Sequence, residues 1–134
     1  MSDSEIAKGR DGRSDGRQAA SVPLSATDFH VLMVLAEGPS YGYAIMKAVE
    51  SHSGGAVVPE IGSMYRVLSR MMTEGWVAEV DSPTEQPAAV RGRTRRYYGL
   101  THAGRLVAHA EARRLADVVE LARTRDLLMG GGTA

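Results

Sequence analysis

Cysteine is absent from the 134 residues, so a disulfide framework, a thiolate metal site and a thiol nucleophile are all excluded. Long hydrophobic runs are absent as well. No stretch approaches the roughly 18 consecutive apolar residues that a membrane span requires, and no membrane partner is expected. The opening MSDSEIAKGRDGRSDGRQAAS lacks the apolar centre of a secretory signal, which predicts a cytoplasmic protein. Net charge is missing too: 16 basic and 16 acidic residues give a formal zero, so attraction to a polyanion by overall charge is not available. What is present, 43% hydrophobic and 24% charged residues, is the balance of one globular domain with tails.

Catalytic and metal chemistry find little to work with. His102 and His109 lie seven apart on one predicted helix, whereas chelation from a helix face needs a spacing of three or four. Serine, histidine and aspartate all occur, but no nucleophile elbow or glycine-rich phosphate loop surrounds any of them. The expectation is a protein without enzymatic activity, metal or cofactor.

Charge is zero in sum but uneven in place. Arg91, Arg93, Arg95 and Arg96 crowd six positions with no acid between them, while Ser25 to Glu60 holds Lys47 against Asp28, Glu37, Glu50 and Glu60. By itself such a run reads first as a solvated loop.

Residues 1–23 are rich in glycine, serine, aspartate and arginine and predict a disordered tail, since they hold too little apolar surface to offset the entropy of ordering. Ser25-Ala26-Thr27-Asp28 has the form of a helix start, and Phe29, Leu32, Met33 and Ala36 follow at helical spacing until Gly38-Pro39 stops the helix. Ser40 is placed to cap a second helix through Tyr41, Ala44, Ile45 and Val49. From Gly62-Ser63 to Glu74, Met64, Val67, Leu68, Met71 and Met72 form a buried stripe, with Ser63, Arg66 and Arg70 on the opposite side and Gly75 as the stop. Trp76–Val80 and Arg95–Leu100 have strand composition, and the loop between them carries the arginine run. Thr101 caps a last helix extending to Leu128, on the order of 40 Å long at about 1.5 Å per residue. Its Leu115, Val118, Val119 and Ala122 exceed what so small a core can cover, so they predict a self-association face.

The predicted fold class is mainly α with a small β-hairpin: a winged helix-turn-helix over 24–100, a C-terminal dimerisation helix over 101–128 and a flexible tail over 129–134. At this point the sequence resembles the PadR family, from residue 24 to about 128. Three blocks carry the likeness. The first, around Leu32 to Met46, centres on VLAEGPSYGYAIMK, with a hydrophobic helix, a Gly-Pro stop and a Gly-Tyr helix start. The second is GSMYRVLSRMMTEGWV from Gly62 to Val77, and the third is GRTRRYYGLTHAGR from Gly92 to Arg105. Met71-Met72 and Gly99 depart from the family's habit of more polar residues at these places.

The resemblance implies a winged-helix homodimer that represses transcription from double-stranded operator DNA and, in many members, is released by a small-molecule effector or another signal. It places helix 62–74 in the major groove and the wing 91–96 at the minor groove or flanking phosphates. The candidate DNA-binding residues are Tyr41, Ser63, Tyr65, Arg66, Arg70, Arg93, Arg95 and Arg96. Arg66 is the one expected inside the groove, because arginine pairs bidentately with guanine; Arg70 is assigned to backbone. Ser63 can equally cap its helix, and Tyr65 can equally pack its ring. Alternation sends Arg95 and Arg96 to opposite faces of the strand, with Tyr98 and Leu100 toward the core. Phe29 and Met33 are the candidate effector contacts. The competing reading is a winged-helix protein-interaction module that never touches DNA.

Overall fold

The computed structural model describes residues 22–82 and 95–128. In chain order these form α1 (Ala26–Ala36), β1 (Ser40–Tyr41), α2 (Gly42–His52), α3 (Ile61–Glu74), β2 (Val77–Val80), β3 (Tyr97–Leu100) and α4 (His102–Thr124). Leu24–Ala108 makes one compact unit; of a second, residues 22–23 and 109–128 are described. The tail expectations for 1–21 and 129–134, together with Arg91, Arg93 and the rest of the 83–94 loop, lie outside the described residues.

Helix α1 starts as its sequence dictates: the Ser25 hydroxyl accepts the Asp28 N–H at 3.0 Å, satisfying one of the donors that a helix start leaves without a partner. Its core face differs from the expectation. Val31, Leu32, Val34 and Leu35 are buried, whereas Phe29 and Met33 are only half-buried and Ala36 is exposed. Residues 31–36 are all apolar, so spacing could not say which side turns inward. The second helix also starts later than expected, because Ser40 and Tyr41 pair with Tyr98 and Tyr97 as a two-residue strand. Tyr41 becomes the N-cap, with no side-chain bond to the helix. A strand of two residues has no alternation to read, and the hairpin accordingly becomes a three-stranded antiparallel sheet in the order β1-β3-β2.

The core gathers Val31, Leu32 and Leu35 of α1, Ile45 and Val49 of α2, Met64, Leu68 and Met71 of α3, and Trp76, Val77, Tyr98 and Val107. The stripe expected on α3 is therefore the buried one, with Val67 and Met72 at its margin. Gly75 closes α3 at φ 85°, a conformation that costs glycine nothing. Thr101 caps α4 as expected, accepting the Gly104 N–H at 3.0 Å. The same hydroxyl donates to the Gly75 carbonyl at 2.6 Å, and the Thr101 N–H donates to the Trp76 carbonyl at 3.0 Å. One threonine thus ties the end of α3, the start of β2 and the start of α4 together, which fixes where α3 points.

Helix α4 stops at Thr124 and not at Leu128. There the Thr124 hydroxyl turns back to the Leu121 carbonyl at 2.7 Å, Asp126 adopts φ 61° and the Leu127 N–H reaches the Ala122 carbonyl at 3.0 Å. Among the described residues no helix is long and apolar enough to cross a membrane.

Candidate nucleic-acid interface

With Met64, Leu68 and Met71 turned inward, the 100° step of the helix turns Gly62, Arg66, Ser69 and Thr73 outward along α3. No acid falls between Ile61 and Thr73. The helix N-cap is Glu60, without a side-chain capping bond. Ser63 does not cap the helix and accepts from Arg66 Nη2 at 3.1 Å, so the arginine lies along its own helix. Tyr65 projects beside Arg66 with 46% of its surface exposed, its ring resting on Gly42: a Cβ built there would meet the ring and hydroxyl at 2.7 Å. Tyr65 thereby packs its ring and hydroxyl against the start of α2 while nearly half of the residue stays exposed.

Arg70 has a partner that the sequence did not reveal. Its two terminal nitrogens donate to both Asp28 oxygens at 3.1 and 2.8 Å, and that hydrogen bonding holds the guanidinium above its ordinary pKa. The pair joins α1 to α3, and a phosphate takes Arg70 only by displacing the carboxylate. The Asp28 side chain keeps 11% of its surface in water and Arg70 keeps 49%, which makes the two halves unequal. Arg70→Ala strands a nearly dry carboxylate and should cost about 2–3 kcal/mol, whereas Asp28→Ala leaves an arginine that water can serve and should cost about 1 kcal/mol. Urea unfolding of the two variants checks the order; equal destabilisation would contradict the asymmetry.

At the root of the wing, each described arginine sits over a different tyrosine. The Arg95 guanidinium lies 4.3 Å from the centroid of Tyr41, whose ring meets Tyr97 edge-on at 5.5 Å. Arg96 lies 5.8 Å from Tyr98 and donates to Glu79 on β2 at 3.1 Å. Alternation does separate the two side chains. The Glu79 hydrogen bond raises the Arg96 pKa; burial pushes the Tyr98 hydroxyl up, with Arg96 pulling the other way. Among the described residues, Arg66 and Arg95 are thus the two arginines of the candidate set that no carboxylate holds, while Arg93 lies outside them.

Elsewhere, Phe29 and Met33 share one stripe of α1, one turn apart and half-buried. In the second unit, Val118, Val119 and Leu121 are exposed while Leu115 and Ala122 are half-buried. Leu121 was missed in the sequence, although its three-residue step from Val118 was available. Among the described residues no group of histidine, aspartate or glutamate is placed to hold a metal ion.

Residues 31–110 match the model of the Transcriptional regulator PadR-like family. The chain is 38% identical over 86 residues to a 37.1 kDa protein in transposon TN4556 of Streptomyces fradiae; the match takes in 64% of this chain and spans only 22% of that protein. Among solved structures, a PadR family transcription regulator from Clostridium difficile R20291 superposes with a TM-score of 0.60 at 22% identity, over 75% of this chain and 97% of the other. A PadR-like transcriptional regulator from Bacillus cereus gives 0.60 at 20% identity, over 76% and 92%. At such identities the two structures speak for the fold.

Proposed function

This chain belongs to the PadR-like family of transcriptional regulators, a winged-helix family of DNA-binding regulation, and from that premise we propose that it represses transcription by gripping a palindromic operator as a homodimer. Helix α3 enters the major groove with Arg66 at the bases, and the wing lies on the sugar-phosphate backbone with Arg95 and Arg93. Ser63, Tyr65 and Tyr41 complete the proposed contact set, and Arg96 joins it once Glu79 lets go. The observation that carries this reading is the pair Arg66 and Arg95, cations without a carboxylate partner among the described residues. Leu115, Val118, Val119 and Ala122 of α4 form the contact with the second copy. The half-buried stripe of Phe29 and Met33 is the place for a small apolar effector that relieves repression.

Reading and anchoring separate on salt. Arg66→Ala should cost about 1–3 kcal/mol on the selected operator and less on unrelated DNA, because a base contact depends on sequence. Arg95→Ala should weaken both DNAs alike and flatten the dependence of log K on log salt by about 0.9 for each phosphate no longer neutralised. Fluorescence-anisotropy titrations of the parent and both variants at several salt concentrations decide it. Equal binding by all three proteins would remove these arginines from the interface, and retention of no duplex at all would leave the interaction-module reading.

A further inference from the structure

The leading end of α3 carries exposed apolar side chains at the margin of its buried stripe. Ile61, its first residue, leaves 40% of its surface in water, and Val58, three residues before it, leaves 60%. A β-branched side chain gains nothing there from helix propensity, and the core beneath is already filled by Met64 and Leu68. Gly62 follows, and a Cβ built on it would meet nothing within 4 Å. Next to Ile61 is the exposed carboxylate of Glu60, the helix N-cap.

In a helix laid in the major groove, the N-terminal residues are those that meet base edges. A phosphate is a poor neighbour for this particular end, because Glu60 repels it. What a major groove offers an aliphatic side chain is the C5-methyl of thymine, the apolar group among donors and acceptors. We propose that Ile61 is a specificity-determining residue that selects thymine in each operator half-site by covering its methyl group. The inference rests on the DNA-binding reading above and adds to it the identity of a base and the residue that reads it.

Replacing thymine by deoxyuridine removes that methyl and leaves every hydrogen-bonding group in place. Duplexes are first selected by the full-length protein from a random-sequence pool, and each thymine of the selected site is then replaced singly by deoxyuridine. One thymine per half-site should give binding about fourfold weaker on replacement, the effect expected for one apolar carbon left uncovered. Ile61→Ala should bind the thymine duplex more weakly and treat thymine and uracil alike at that position, while Arg66→Ala keeps the fourfold ratio. Equal binding of thymine and uracil duplexes by the parent, or a ratio that persists in Ile61→Ala, overturns the assignment while specific DNA binding stands. A pool from which no sequence is enriched overturns the DNA reading, and the assignment with it.

Discussion

Gly104→Ala should lower the melting temperature by about 12–20 °C, the shift that a destabilisation of about 3 kcal/mol produces in a unit of this size. The added methyl has nowhere to go: a Cβ at Gly104 would fall on the carbonyl oxygen of Trp76, 2.9 Å from its carbon and 2.8 Å from Leu100 Cδ1. Two of these neighbours are backbone, so no side-chain rotation relieves the clash, and such overpacking costs roughly 1–3 kcal/mol or more. The displaced helix start also loosens the Thr101 bonds to the Gly75 and Trp76 carbonyls, and these fix the C-terminal end of α3. Lower stability should therefore come with lower DNA affinity. Thr101→Ala, which removes the cap without the clash, should cost only about 1 kcal/mol. Differential scanning calorimetry of the two variants gives the comparison. A Gly104→Ala chain that melts within a few degrees of the parent would mean that α4 and Trp76 do not approach as described.

That corner was legible in the sequence only in part, and the reason is range. Caps act over three or four residues, so Ser25, Gly75 and Thr101 can be read as helix boundaries from their neighbours alone. The methionine-rich stripe of α3 is equally readable, because arginine, serine and threonine mark its other side. In α1 both sides of Val31–Ala36 are apolar, the periodic signal vanishes, and Phe29 and Met33, which spacing puts on the core face, lie beside it. Asp28 can be read as part of a helix start; its partner Arg70 is 42 residues away, and nothing local in either segment announces the pair. Glu79 and Arg96 likewise meet only because Glu79 stands opposite Tyr98 in the β2–β3 register. For the candidate interface, residue type was foreseeable and charge compensation was not. A cation counted from sequence is available to DNA only if folding does not bring it a carboxylate, and the long-range pairs that decide this are set by the fold.

The proposed homodimer yields the largest functional change. Val118 and Val119 stay 47% and 41% exposed on α4, so replacing both by glutamate takes little from the single chain, and the second unit should keep its helix. A partner copy covering them changes that outcome. Each valine then forfeits about 1 kcal/mol of remaining burial, counted in both copies, and the introduced carboxylates give up water without gaining a cation. A twofold interface repeats every such penalty, which is enough to shift a micromolar dimer to monomer at working concentration. The Val118→Glu, Val119→Glu protein should therefore sediment at half the parent's mass with unchanged helical circular dichroism. Its operator affinity should fall by about 10²–10⁴, because two linked half-site contacts become one. The remaining half-site contact should still show the Arg66 preference, since Arg66, the proposed base-reading residue, lies in the Leu24–Ala108 unit. A variant that keeps the parent's mass would move the self-association face off Val118 and Val119, and a variant that halves its mass yet binds the operator as tightly as the parent would show that the palindrome is not read by two copies held through this helix.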